Sequence, residues 1–154
     1  MQLFKMYTDG GFCNTQSKGI GSWAYILLKY DEKKKEYVEL TKDSGREFDT
    51  TNNKMELTAC IEALNLLKEP CKVQLFSDSA YVVNAFNQDW ISSWQANGWK
   101  NSQKKDVANI DLWKKLIKLN NYHQITFNKV KGHAGDKYNE ICDALATGRK
   151  IPNQ

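Results

Sequence analysis

The stretch TTNNKMELTACIEALNLL, Thr50 to Leu67, reads as a helix with a carboxylate on its dry face. Cys60, Ala63, Leu64 and Leu67 recur at helical spacing and mark the side that packs on a core. Glu56 lies four residues before Cys60, on that same stripe. A buried, unpaired carboxylate costs several kcal/mol or shifts its pKa, so a Glu placed there calls for a cation or a donor. A second account also fits: a first-turn Glu that answers the helix dipole and bends to water. Thr51, Asn52 and Asn53 stand where a helix start is capped.

Three further acids bear on that choice. Asp9 and Asp78 each follow a short β-like run, MQLFKMYTDGG and KVQLFSDS. If those runs are parallel neighbours, the two carboxylates stand side by side at the carboxyl edge of a sheet, where open α/β sheets bind ligands. Asp143 flanks the apolar stripe of Ile141, Cys142 and Leu145 in a last helix and could approach from the side. Four carboxylates in one place repel one another unless a divalent cation joins them. Oxygen ligands with no clustered His or Cys suit Mg²⁺ or Mn²⁺ better than Zn²⁺. Two such ions about 3.5–4 Å apart form the clamp used in phosphodiester chemistry. Taken singly, each acid has a plainer account: Asp9 a turn former, Asp78 a helix cap, Asp143 a solvated charge. His133, in the Gly-flanked loop KGHAGD, is either an exposed loop residue or a proton carrier beside such a site.

The elements that must position these groups follow from periodicity. Leu3 to Thr8 alternates as a half-buried strand and ends at Asp9-Gly10-Gly11, glycines that suit a sharp turn. A polar loop is expected from Phe12 to Gly21, strands at Ser22–Tyr30 and Tyr37–Thr41, and a loop over Asp43–Asp49. After the Thr50 helix come a strand at Lys72–Phe76, a helix begun by Asp78 or Ser79, and the segment Asp89 to Lys105. An amphipathic helix at Asp111–Leu119, a strand at Gln124–Val130 and a helix from Asp136 to Gly148 complete the chain. Hairpin-linked strands followed by strand–helix–strand units predict an α/β fold, a mixed sheet with helices on its faces. The expected organisation is one domain over residues 1–150 and a short tail at 151–154.

Composition narrows the class. The chain has 154 residues, 41% of them apolar, and a net charge of +4. No apolar run approaches the roughly 20 residues that span a bilayer, so no membrane role is expected. The N-terminus enters a strand pattern directly, which points away from a secretory signal and toward the cytosol. Cys13, Cys60, Cys71 and Cys142 form no CxxC pair and are expected reduced. The modest positive charge is compatible with a polyanionic partner. Trp90, Trp94 and Trp99, with Lys100, Lys104 and Lys105, form an aromatic and basic segment. It either packs one helix on another or grips phosphates with an aromatic surface against sugar or base.

As a set these motifs resemble the type 1 ribonuclease H family along nearly the whole chain. The carriers are YTDGG (Tyr7–Gly11), TTNNKMEL (Thr50–Leu57), SDSAYV (Ser77–Val82), GWK (Gly98–Lys100), VKGHAG (Val130–Gly135) and NEICDALA (Asn139–Ala146). The resemblance implies a ribonuclease H-like five-stranded mixed sheet, with three antiparallel and two parallel strands flanked by helices. It implies that Asp9, Glu56, Asp78 and Asp143 are catalytic metal ligands for Mg²⁺, with Mn²⁺ able to substitute, and that His133 assists them. The implied activity is hydrolysis of the RNA strand of an RNA–DNA hybrid, leaving 5′-phosphate and 3′-hydroxyl ends. Asn52 and Asn53 would contact the hybrid's minor groove and Thr51 a DNA phosphate. Trp90 and the Trp94–Lys105 lobe look like the substrate-binding protrusion of bacterial members, which grips substrate within one chain and fits a monomer. Many relatives carry Gln two residues after the third acid, where this chain has Ala80. The first loop lacks the common Asn-Pro pattern, which leaves Asn14 as the contact there. Other readings of the same resemblance are a junction resolvase, a reverse-transcriptase fragment, or a catalytically silent hybrid-binding module.

Overall fold

The computed structural model describes residues 1–15, 18–131 and 136–148, the backbone alone at 13–15 and 18. Five strands, β1 (Leu3–Thr15), β2 (Lys18–Asp31), β3 (Glu36–Phe48), β4 (Lys72–Ser77) and β5 (Gln124–Lys129), form one mixed sheet in the order β3-β2-β1-β4-β5. The first three pair antiparallel; β1 with β4 and β4 with β5 pair parallel. Five helices accompany them: α1 (Asn52–Leu64), α2 (Ala80–Asn87), α3 (Trp90–Ala96), α4 (Ile110–Tyr122) and α5 (Lys137–Thr147). The expected α/β mixed sheet is present.

The largest departures from the expected boundaries lie in the antiparallel half. β1 does not stop at Thr8 and turn at Gly10-Gly11; it runs on to Thr15 against β2, with Gly10 opposite Trp23 and Gly11 opposite Ser22. The polar loop expected at Phe12–Gly21 is therefore largely the end of a two-stranded ribbon. β3 likewise continues through Asp43–Phe48, where a loop was expected. Both stretches lack apolar alternation for a physical reason. The ribbon extends past the end of β4, and β3 is an edge strand whose side chains are mostly exposed. Charged residues on an edge also discourage pairing with another chain.

The sheet is covered on both sides. Met6, Leu27, Val73 and Leu75 pack with Leu57, Leu64 and Trp113 beneath α1 and α4. Tyr7, Ala24 and Ile26 pack with Cys142 and Ala146 of α5. Phe4, Met6 and Tyr7 are all buried, so β1 is dry on both faces and not half-buried as its alternation suggests. Cys60, Cys71 and Cys142 are free buried thiols, in line with the expected reduced state. Among the described residues no helix is long and apolar enough to cross a membrane.

His123, at the end of α4, carries a pH prediction. It is buried, and its Nδ1 accepts the Cys71 backbone N–H at 3.0 Å. The proton of the neutral ring therefore sits on Nε2, which is buried without a partner. Burial lowers the pKa of this imidazole below 6.5. The neutral form is the one the fold prefers, so its contribution is full above about 6.5 and is lost as pH falls below it. A proton-resolved titration of the two histidines should give His123 a pKa below 6.5; a value above that would refute the assignment.

Candidate active site

Strand register brings the first two acids together. Tyr7 of β1 pairs with Phe76 of β4, and their rings stack at 4.8 Å. Asp9 and Asp78 each lie two residues further on. They are thus in phase on neighbouring strands, which run about 4.8 Å apart. Asp78 follows the end of β4 directly; Asp9 sits within β1, at the point where its parallel partner has ended. The expectation that both acids follow a strand holds for Asp78 and is corrected for Asp9.

Glu56 arrives from the other side of β1. Thr51 caps α1, its hydroxyl accepting the Lys54 N–H at 3.1 Å. Glu56 is one turn further in and is 3% exposed, which excludes the solvated first-turn account. Its Oε1 accepts the Gly10 backbone N–H at 2.7 Å, and its Oε2 takes a longer bond of 3.4 Å from the buried Ser77 hydroxyl. Gly10 permits this approach. A Cβ built there would lie 2.5 Å from the Glu56 nitrogen and 2.7 Å from the Met55 carbonyl carbon. The glycine that the sequence suggests for a turn serves close contact between a strand and a helix.

One carboxylate oxygen from each of Asp9, Glu56 and Asp78 lies within 4.8 Å of the others. They open into a cavity of about 410 Å³ that Asp143 of α5 also lines. Asp143 hydrogen-bonds with Asp9, so the side approach of α5 does reach the cluster. Burial pushes the Asp9 carboxyl far above its usual range, and the charges of Glu56 and Asp78 add to that. Burial raises Glu56 as well, with Asp78 adding, although the bonds from Gly10 and Ser77 pull it down. Without a cation, part of this cluster must hold protons. All the grouped donors are hard oxygens, so the set suits a divalent ion of the Mg²⁺ or Mn²⁺ type.

Asn52 and Asn53, exposed at the start of α1, line the same cavity, as does Tyr81. Thr51 is exposed one residue earlier. The tryptophans and lysines stand apart from the acids. Trp90, Trp94 and Trp99 are half-buried and pack on the core, with Trp94 set edge-on to the fully buried Trp113 at 5.3 Å. Lys100 is ion-paired with Asp106, while Lys104 and Lys105 are exposed. Packing and exposure thus divide this segment: its rings carry the fold and its ammonium groups face water. His133 and the side chain of Asn14 lie outside the described residues. Sequence reasoning missed Ser77, Tyr81 and the Gly10 N–H; only the glycine beside Asp9 left a signal.

Comparison with known proteins identifies the family. A family profile described as RNase H covers residues 2–150. A ribonuclease H from Acetivibrio thermocellus is 50% identical over 147 residues, 96% of this chain and 94% of that one. One from Chlorobium limicola is 52% identical over 142 residues, 92% and 90% of the two chains. Among solved structures, LC9-RNase H1, described as a type 1 RNase H with the type 2 active-site motif, aligns with a TM-score of 0.84 at 25% identity. That alignment spans 96% of this chain and 72% of that one. A foamy viral protease-reverse transcriptase, solved in complex with RNA/DNA hybrid, shares the fold at a TM-score of 0.70 and 21% identity, over 96% of this chain and 19% of that one. With the profile spanning almost the full length and half the residues shared with ribonucleases H of similar size, this chain belongs to the ribonuclease H family.

Proposed function

We propose that this protein is an endoribonuclease that hydrolyses the RNA strand of RNA–DNA hybrids with Mg²⁺, Mn²⁺ substituting, and leaves 5′-phosphate and 3′-hydroxyl ends. The observation that carries it is the convergence of Asp9, Glu56 and Asp78 within 4.8 Å, in a chain of this family. When bound, a pair of divalent ions supplies an activated water and stabilises the leaving oxygen. The chain's own groups hold and aim that chemistry. Asp9 and Asp78 would hold metal between them, Glu56 would serve the leaving-group side, and Asp143 would serve the side of the attacking water. His133 would carry a proton to the leaving group or help release product. Gly10 and Ser77 fix the Glu56 carboxylate, so its oxygens need not reorganise when a ligand arrives.

Substrate contacts follow the cavity. Asn52 and Asn53 at its rim meet the minor groove, where shape and 2′-hydroxyls mark an RNA strand. Thr51 and Asn14 make backbone contacts beside them. Lys100, Lys104 and Lys105 hold phosphates further along, and the exposed parts of Trp90, Trp94 and Trp99 offer an aromatic surface to sugar or base. Residues 1–150 act as one domain. The described acids come from one chain, so a monomer can carry the reaction.

The test is cleavage of matched hybrid, duplex DNA, duplex RNA and four-way junction with Mg²⁺. Hybrid should be cut in its RNA strand alone, and salt should weaken binding steeply. Preferential cutting of the junction, or no cutting of any substrate, would refute the proposal.

A further inference from the structure

Two acids of the cluster are carried by helices, Glu56 by α1 and Asp143 by α5. Besides the hydrogen bond between Asp143 and Asp9, two contacts tie α5 to the sheet. The Cys142 thiol faces the carbonyls of Tyr7 and Ala24 at 3.6 and 3.3 Å. One turn later, the Ser22 hydroxyl donates to the carbonyl of Ala146. That carbonyl belongs to the last turn of α5, where backbone acceptors have no partner within the helix. Two acceptors earlier in that turn have partners: Gly148 N–H bonds Ala144 O, and the Thr147 hydroxyl bonds Asp143 O. Ser22 thus satisfies one acceptor at the end of the helix, and it does so from the sheet.

The grip is built as one row across three strands. Gly11 pairs with Ser22, and Ser22 with Arg46. Gly11 leaves space for the hydroxyl: a Cβ there would lie 2.9 Å from Ser22 Oγ. The Arg46 guanidinium lies beside Gly148, the left-handed cap of α5, with Nη2 3.3 Å from where a Cβ would stand. A cation at that end complements the helix dipole. The adjacent row, two residues along each strand, is Asp9, Ala24 and Ser44. The row that fastens α5 thus neighbours the row that carries Asp9.

We propose that Ser22 is a positioning residue for Asp143: by bonding the Ala146 carbonyl it fixes the last turn of α5 on the sheet, and so sets how closely the Asp143 carboxylate approaches Asp9. This rests on the reading that Asp143 serves a divalent ion. The need for a clamp is electrostatic. Asp143 joins a cluster of carboxylates that repel one another when ionised, and that repulsion would push α5 outward. Asp143 lies three residues before Ala146, about 4.5 Å along the helix axis, so a loosened end transmits directly to it. A clamp that serves stability alone would leave ion affinity unchanged.

Ser22→Ala and Ser22→Thr in the full chain test this, with three measurements: calorimetric titration with Mg²⁺, hydrogen exchange of the α5 amides, and hybrid cleavage against Mg²⁺ concentration. In Ser22→Ala the last-turn amides of α5 should exchange about tenfold faster. Calorimetric Mg²⁺ affinity should fall, and half-maximal cleavage should need about fivefold more Mg²⁺, with the rate at saturation nearly unchanged. Ser22→Thr keeps the hydroxyl and should restore both. Wild-type Mg²⁺ affinity in folded Ser22→Ala would overturn the proposal. If Ser22→Ala does not fold, Gly11→Ala decides the matter, because it displaces the same hydroxyl without deleting it. The two proposals fail separately. A wild-type protein that cuts no hybrid but loses Mg²⁺ affinity in Ser22→Ala removes the nuclease reading and keeps the clamp. One that cuts hybrid with unshifted Mg²⁺ dependence removes the clamp alone.

Discussion

Asp9→Asn should abolish hybrid cleavage, by about 10³-fold or more, and yet make the metal-free protein more stable. Both effects have the same origin. Asp9 is 4% exposed and sits among the charges of Glu56 and Asp78. In the folded, metal-free chain its carboxyl is pushed up by burial and by those charges. A folded-state pKa above the unfolded value means that the folded state binds the proton more tightly. Stability is therefore highest at a pH below the unfolded value of about 4 and is lost as pH rises above it. Glu56 shifts in the same direction and steepens that loss. An amide at position 9 cannot ionise, so the variant escapes its share. A gain of about 2 kcal/mol at neutral pH, or about 4–8 °C in melting temperature for a chain of this size, is expected.

Adding Mg²⁺ should reverse the order. The ion stabilises the wild type by mass action and the variant little. Activity has the opposite pH slope to metal-free stability, falling at low pH because protons compete with the ion for the carboxylates. Melting curves of both proteins, with and without Mg²⁺, from pH 5 to 8 check the whole scheme. Equal melting temperatures in the absence of metal would contradict the electrostatic strain; undiminished cutting by Asp9→Asn would end its role as a ligand.

Gly10→Ala should be the most damaging single-methyl change near the site. The new Cβ would stand 2.5 Å from the Glu56 nitrogen and 2.7 Å from the Met55 carbonyl carbon, both backbone atoms. Neither can rotate away, so α1 must move off β1. Overpacking of this kind costs about 1–3 kcal/mol or more. The shift also lengthens the 2.7 Å bond from Gly10 N–H to Glu56, a charge-assisted bond worth about 1.5–3 kcal/mol. A melting temperature lower by about 6–12 °C and a cleavage rate lower by about 100-fold are expected. For stability, Gly11→Ala is the control, since its Cβ meets a side-chain hydroxyl that can rotate. Its loss of stability should be much the smaller. Equal effects at the two positions would show that the strand–helix contact is not what Gly10 provides.

The two halves of the sheet differ in how far they can be read from the chain. β4 and β5 lie between helices and advertise themselves by apolar residues, as KVQLF does. The outer part of β3 is polar because it is an edge strand with mostly exposed side chains, and the ribbon of β1 and β2 runs on past the end of β4. Their hydrogen bonds come from register, which leaves no apolar period. The aromatic lobe shows the converse case. Its tryptophans could equally meet substrate or core, and packing of Trp94 on Trp113 assigns much of their surface to the core.

From sequence alone, the types of the acids, their places near strand ends and on a helix's dry stripe, and the mixed α/β order were all legible. Those properties are local, set by side-chain period and backbone preference over a few residues. Tertiary structure alone decided that Glu56 is fully withdrawn from water, that Asp143 reaches Asp9, and that Gly10 makes a contact and not a turn. These depend on the distance between segments remote in the chain, which strand register and helix docking fix and no local pattern encodes.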